Sequence, residues 1–350
     1  MITDRSVWRG DELGRTTDWI RTLSADDVAE LESALRIAKT RRRRWQDLTR
    51  DDVPLPRLGG KLAAIGDELE DGRGVVLLRG VPVDRHDEES LKWMYWGLGT
   101  HLGTPRYQNP YGELIGEVRD EVRYYGEVQQ PGVGATPAPT SRARARTTGP
   151  LRFHTDRCDV VTLLCVRRAR AGGVSKIVST TAVANEIERR RPDLAKLLWE
   201  PYVRSRAGEE VGGEKKTYTM PVFAMRDGKF TSHYSRTFVE LAQSLPGVPP
   251  LTKAQNDALD LLADVAEELS YAMELEPGDV QLLNNHVIYH ARTAFEDDPT
   301  TKQDRLLYRL WLSTPNSRAL PVGFESLWQS VEPGAPRGGV RQADEPVPTG

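Results

Sequence analysis

Phe153-His154-Thr155-Asp156 opens a run, residues 151–167, whose apolar second half reads as a β-strand. Side chains two apart on a strand point to the same face. His154 and Asp156 can therefore offer one imidazole nitrogen and one carboxylate oxygen to a single metal ion. An H-x-D tripeptide is a weak signal alone, and two ligands do not hold a catalytic metal, so a third must come from elsewhere. The chain has only six histidines. Two of them stand late, in Asn284-Asn285-His286-Val287-Ile288-Tyr289-His290-Ala291-Arg292. His233 is a further rival, although no arginine-bearing strand follows it at a comparable remove.

Two histidines and one carboxylate on one side of an ion form the facial arrangement of non-haem Fe(II) oxygenases, which leaves coordination positions for a co-substrate and dioxygen. Beyond His290 comes Arg305-Leu306-Leu307-Tyr308-Arg309-Leu310-Trp311-Leu312, a run without turn residues and with two arginines four apart. On a strand both face one side. An Fe(II) site that uses 2-oxoglutarate needs a cation for the far carboxylate of that dianion, and the planar, permanently charged guanidinium suits it.

The order of these motifs is H-T-D at 154–156, G-G-V-S at 172–175, H-A-R at 290–292 and R-x-x-x-R at 305–309. It resembles the taurine dioxygenase (TauD/TfdA) family of Fe(II)/2-oxoglutarate-dependent oxygenases, over residues 70–315. The resemblance implies an α+β chain with a double-stranded β-helix (jelly-roll) core and flanking helices. It implies His154, Asp156 and His290 as Fe(II) ligands, with His286 in a supporting place. Ser175, where the family more often has Thr, and Arg305 would bind the distal carboxylate of 2-oxoglutarate. Arg309 would face the pocket and meet the other carboxylate or an anionic substrate. Gln108, Asn109 and Arg292 are substrate candidates, although turn chemistry explains Gln108 and Asn109 equally well. The implied reaction consumes 2-oxoglutarate and dioxygen and releases succinate and carbon dioxide. It oxidises a C–H bond of a small, anionic or amino-acid-like molecule, most often by hydroxylation; desaturation and ring closure stay open. Asp156 speaks against halogenation, because halogenases of this type replace the metal carboxylate with a small residue. A cupin-like metal-binding protein or a zinc-dependent hydrolase could use the same three ligands, but neither would need Arg305.

Bulk properties narrow the partners. Forty-eight basic and 51 acidic residues leave a net charge of −3, so nothing in the overall charge calls for nucleic acid or an anionic membrane. No run approaches the roughly 18 apolar residues of a membrane span, and the expected location is cytoplasmic. The expected partner is a small-molecule substrate; a homo-oligomer is compatible with the sequence. Cys158 and Cys165 are an odd number apart along the metal run and read as core residues, not as a bridge.

Three regions are expected: an N-terminal helical region at 1–58, an oxygenase domain at 59–315, and a Pro/Gly-rich tail at 316–350, disordered from 333 onward. Within the domain, residues 127–150 read as a loop poised as a lid over the site. Its Arg142, Arg144 and Arg146 either attract an anionic substrate or are solvated. Helices are expected at 24–44, with Ser24 as cap, and at 59–71, 87–101, 180–199 (interrupted near Pro192) and 252–272. Asp227-Gly228 predicts a tight hairpin, and Arg41–Arg44 reads as the solvated end of the first helix.

Overall fold

Apart from Thr162 and Arg309, Val160–Val166 and Leu306–Leu312 are apolar without alternation, the pattern of strands buried on both faces. They lie side by side at the heart of the structure. The computed structural model describes residues 1–122, 145–301 and 303–342. Its two principal sheets are built from β1 (Ile20–Thr22), β2 (Val75–Arg79), β3 (Thr104–Arg106), β4 (Ile115–Val118), β5 (Leu151–His154), β6 (Val160–Arg167), β7 (Ser175–Ser179), β8 (Tyr271–Met273), β9 (Val280–Asn284), β10 (Ile288–Arg292) and β11 (Leu306–Ser313). The larger has the order β1-β2-β9-β6-β11-β3, with β4 also on β11; the smaller has the order β8-β7-β10-β5. All pairings are antiparallel except β1 with β2.

Alternation sorts the side chains. Leu306, Tyr308, Leu310 and Leu312 pack outward against the helices Ala25–Thr40, Leu58–Asp71 and Glu88–Leu102. Leu307 and Trp311 face inward and meet Ile177, Ile288 and Met273 of the smaller sheet. The outer side of the smaller sheet, with Phe153, Val178, Tyr289 and Ala291, is covered by Thr180–Arg190, Pro192–Leu198 and Lys253–Leu269. Ser24 caps the first long helix by accepting from the Asp27 amide at 3.2 Å, and Thr252 does the same for Gln255 at 3.1 Å. The Asp227-Gly228 turn takes positive φ at both residues, the hairpin geometry expected of it. Among the described residues no helix is long and apolar enough to cross a membrane.

Four expectations need correcting. The first helix ends at Thr40, not at residue 44; Arg41 and Arg43 then pair with Asp52, and Arg44 with Asp47. The 151–167 run is two strands, not one. It breaks after His154 and resumes at Val160, so Asp156 does not share a strand face with His154, and Cys158 lies in the intervening loop. Both cysteines are free and buried. Most of the proposed lid, 127–144, lies outside the described residues, with Arg142 and Arg144; Arg146 is buried and ion-paired with Glu113 and Glu121.

The fourth correction concerns the tail, which is packed as far as it is described. Leu320, Phe324, Leu327, Trp328 and Val331 form a cluster with Tyr218 and Met220. Arg337 is 0% exposed, and its Nε and Nη2 each lie 2.8 Å from Asp159 Oδ1. Gly338 and Gly339 have positive φ, and a Cβ there would come within 2.8 Å of the Arg157 carbonyl and 2.7 Å of Arg106. The glycines are thus close-approach positions, not signs of disorder. Residues 343–350 lie outside the described residues. Removing one partner of a buried pair strands the other charge, which costs about 3 kcal/mol or more. Arg337→Ala is therefore expected to lower unfolding free energy by that amount in urea titration; an unmoved midpoint would mean that the tail is not part of the cooperative fold.

Candidate active site

The register of the smaller sheet sets His154 of β5 directly opposite His290 of β10, and their ring centroids lie 4.2 Å apart. Both side chains point between the sheets. After His154 the chain leaves the sheet, and the Asp156 amide donates to Asn285 Oδ1 at 3.1 Å. That contact turns the carboxylate back toward the imidazoles. His154 Nε2 is 3.8 Å from Asp156 Oδ1, and His290 Nε2 is 3.8 Å from Asp156 Oδ2. One donor atom from each of the three lies within 4.8 Å of the others, and all three residues are buried.

This donor set fits a divalent ion. His154 Nδ1 lies 2.9 Å from the Arg152 carbonyl, so the ring proton belongs there and the Nε2 lone pair faces the carboxylate. Burial holds both imidazoles below their usual pKa, and for His290, with His154 beside it, the value falls to about 3. Among the described residues His290 Nδ1 has no hydrogen-bond partner. Burial alone would raise the Asp156 pKa. The Arg309 guanidinium, the two imidazoles and the Trp311 Nε1–H at 2.9 Å outweigh it and hold the carboxyl at about 2. Two neutral imidazoles and one carboxylate thus converge in a buried site, which is what a hard-to-intermediate divalent metal needs.

A cavity begins at His154 and His290 and runs past Ser175, Arg292, Arg305 and Arg309. Arg305 is buried, donates to the Val118 carbonyl at 3.3 Å and packs over the Phe295 ring at 5.2 Å. No carboxylate among the described residues forms an ion pair with it. Burial lowers its pKa to about 10, so it remains a cation at neutral pH. Gly172 and Gly173 make room: a Cβ on Gly173, with φ +69°, would lie 3.1 Å from Arg305 Nε, and one on Gly172 2.2 Å from the Ala294 carbonyl oxygen. Ser175 Oγ donates to Gln281 Oε1 at 3.1 Å. Arg309 Nε donates to Gln108 Oε1 at 2.7 Å, and its Nη1 is 3.5 Å from Asp156. Gln108 Nε2 returns a bond to the Arg309 carbonyl at 2.8 Å.

The remaining candidates fall outside the ligand set. Asn109 Oδ1 accepts from the Tyr111 and Glu113 amides at 3.0 and 3.2 Å, so its amide serves its own turn. Arg292 donates to the carbonyls of Ala145, Thr147 and Gly149 and anchors that segment at the cavity. His286 is spent between Asp159 (2.9 Å) and Thr231 (2.8 Å). His233 lies between Thr155 (3.2 Å) and Tyr218 (3.4 Å) and lines a second cavity that also reaches His154 and Asp156. Sequence reasoning missed Trp311, Asn285, Gln281 and the walls of this second cavity. Only Trp311 carried a signal, two residues beyond Arg309 on the same strand face.

A model of the "Taurine catabolism dioxygenase TauD, TfdA family" matches residues 41–311. FR-33289 synthase of Streptomyces rubellomurinus is 31% identical over 331 residues, 93% of this chain and 94% of that protein. The taurine hydroxylase-like protein SAT17 of Stachybotrys chartarum is 28% identical over 317 residues, 88% of this chain and 79% of its own. Among solved structures, asparagine oxygenase with Fe(II), 2S,3S-3-hydroxyasparagine and succinate superposes with a TM-score of 0.63 at 20% identity, covering 85% of this chain and 94% of that one. The non-heme iron oxygenase OrfP with Fe and alpha-ketoglutaric acid gives 0.61 at 16% identity, covering 84% and 93%. Both share the fold.

In anaerobic equilibrium dialysis against Fe(II), the chain is expected to bind one ion and His290→Ala to bind none stoichiometrically. Trp311→Phe, which removes only the hydrogen bond to Asp156, should weaken the metal by about tenfold or more; equal affinity would show that this contact does not orient the carboxylate.

Proposed function

The chain belongs to the TauD/TfdA dioxygenase family, and from that premise we propose that it is an Fe(II)- and 2-oxoglutarate-dependent dioxygenase. It hydroxylates a C–H bond of a small, anionic or amino-acid-like molecule and releases succinate and carbon dioxide. The observation that carries this reading is Arg305, a buried guanidinium without an ion-pair partner among the described residues, in one cavity with His154 and His290. A buried cation of this kind calls for an anion, and the distal carboxylate of 2-oxoglutarate supplies one. A zinc hydrolase on the same ligands would leave Arg305 without a purpose.

His154, Asp156 and His290 would hold the ion. Fe(II), with 2-oxoglutarate and dioxygen, supplies the oxidising power to break the substrate C–H bond. The protein's own part is positional. Arg305 offers a planar fork to the far carboxylate, and Ser175 Oγ, held by Gln281, lines the same cavity from the other sheet. Arg309, clamped by Gln108, keeps Asp156 ionised and lends positive charge to the near end of the cavity. Asp156 occupies the carboxylate position itself, which favours hydroxylation over halide transfer. Arg292 holds residues 145–149 against the cavity, in keeping with a lid over 127–150, most of which lies outside the described residues.

We read the two facing antiparallel sheets as a double-stranded β-helix, with 59–315 as the catalytic domain, 1–58 as a helical flank and 316–350 as a wrapping tail. The placement in the cytoplasm rests on the sequence alone. The relatives asparagine oxygenase and OrfP carry hydroxylated amino acids in their structures, which supports an amino-acid-like substrate here.

Fe(II) and 2-oxoglutarate added without oxygen are expected to give a weak visible charge-transfer band, and oxygen to give succinate. Arg305→Gln should raise the 2-oxoglutarate concentration for half-maximal band intensity roughly a hundredfold, since truncating one partner of a buried charged pair costs about 2–5 kcal/mol, with iron binding intact. Gly173→Ala should move it in the same direction by a smaller factor. An Arg305→Gln variant with undiminished 2-oxoglutarate affinity would remove this residue from the role.

A further inference from the structure

The cavity that Arg305 shares with the two histidines has a second end. On the far side of Arg305 lies a cleft lined by Arg168, Gly172, Gly173 and Glu274. Leu275, Arg305 and Leu307 line both the cleft and the cavity, so only these three side chains separate them. We infer that the cleft is a passage for the dicarboxylate: 2-oxoglutarate enters and succinate leaves through it, past Arg168, without crossing the metal site. The inference rests on the proposed function, in that it takes the Arg305 cavity to hold 2-oxoglutarate.

Strand ends create the opening. Arg167 faces Leu306 in the last pair of β6 and β11, and Met273 faces Ser175 in the last pair of β8 and β7. The residues just beyond these pairs, Arg168 and Arg305 from the larger sheet and Gly173 and Glu274 from the smaller, line the cleft. It is therefore the gap between the two sheets where their strands run out. Gly172 and Gly173 leave one wall without side chains. A Cβ on Gly173 would stand 3.1 Å from Arg305 Nε, so any other residue there would crowd the guanidinium. The neck is Leu275 and Leu307, both buried. Aliphatic side chains open a neck by changing rotamer, with no movement of either sheet.

Charge along the cleft suits a dianion. Arg168 is exposed at the outer rim; it donates to Glu276 Oε1 at 2.7 Å and to Glu274. Exposed pairs of this kind are worth little, so an arriving carboxylate can take the place of either glutamate before it passes to Arg305. The order of the groups also fits. A keto-diacid that enters from the Arg305 end leads with its keto acid toward His154 and His290, and its trailing carboxylate stops on Arg305. Succinate leaves with the carboxylate already on Arg305 in front. Away from the cleft, Ala145 lines the cavity, and Arg292 holds residues 145–149 there through the carbonyls of Ala145, Thr147 and Gly149. Traffic through the cleft leaves that segment in place.

The test uses the full chain loaded with Fe(II) under argon and mixed with excess 2-oxoglutarate in a stopped-flow spectrometer. The rate at which the visible band forms is plotted against 2-oxoglutarate concentration; the slope reports entry and the intercept escape. Ala169→Trp puts a bulky ring on the cleft lining, at a position that does not line the cavity. It should lower slope and intercept together, by about tenfold, and leave their ratio, the dissociation constant, unchanged. Arg168→Glu, an exchange at an exposed position, should lower the slope about threefold or more at low ionic strength and lose that effect in about 0.5 M salt; it carries the decision if Ala169→Trp does not fold. Unchanged slopes in both variants would overturn the proposal, and so would a weaker affinity with an unchanged slope, which would place the effect on the bound state and not on the route. Absence of the band in the unaltered chain would instead count against the Fe(II)/2-oxoglutarate reading, and the passage would fall with it.

Discussion

The pairing of β5 with β10 is the constraint on which the site depends. With His290 opposite His154 in one direction, the same strand sets Arg292 opposite Ser175 of β7 in the other. A strand slipped by one residue would turn His290 out into the helical layer and bring Tyr289 or Ala291 inward. The outward packing of Tyr289 and Ala291 against Phe153 and the Lys253–Leu269 helix therefore guards the register as firmly as the hydrogen bonds do. Core packing and metal geometry are specified by the same alternation, so the ligands can lie far apart in sequence and still meet.

Charge burial shows a second kind of selection. Most of the buried guanidinium groups are matched: Arg337 with Asp159, Arg318 with Glu70, Arg309 with Asp156 and Arg146 with two glutamates. Arg305 and Arg204 have no such carboxylate among the described residues. Arg305 lines the cavity that reaches the His154 imidazole on the side of Ser175 and Arg309, whereas Arg204 lies behind His233, to whose carbonyl it donates at 2.9 Å. Stability alone would favour a carboxylate or an apolar replacement at each place. Arg305, unmatched beside the metal set, is the cation that the proposed reading gives to 2-oxoglutarate.

Much of this was legible in the sequence, for physical reasons that are local. His290 and Arg309 sit on strands, where periodicity two fixes direction, and Arg305 stands one residue before β11 begins. Ser24, Thr252 and Asp227-Gly228 act through contacts within a few residues. Gly172-Gly173 marks a close approach, although only the structure shows that Arg305 is what approaches. The break between His154 and Val160 was illegible because its residues carry no strong turn signal; the kink comes from Asn285 and Asp159, which belong to distant and local segments acting together. The tail was misread because composition weighs glycine and proline as entropy, whereas here they permit tight turns around a buried ion pair. The second cavity gathers Arg157, Arg206, Tyr218 and Leu327 from four segments, and no spacing rule connects them.

The loop that carries Asp156 also shows why the tail matters to the chemistry. Asp159 accepts from His286 at 2.9 Å in the β9–β10 turn, from Arg337 at 2.8 Å in the tail, and from Ser313 Oγ and the Thr314 amide at 3.3 and 3.2 Å at the end of β11. Arg157 is tied to Gly339, and the Gly339 amide in turn donates to the Arg157 carbonyl at 2.6 Å. Residues 155–159 therefore have no regular structure of their own and borrow their shape from four other parts of the chain, counting Tyr234, whose carbonyl accepts from the Thr155 amide at 2.8 Å. A metal carboxylate on such a loop is only as well placed as those anchors are rigid. The wrapping tail thus acts on the site from outside it, by holding the backbone that aims Asp156 at the two histidines.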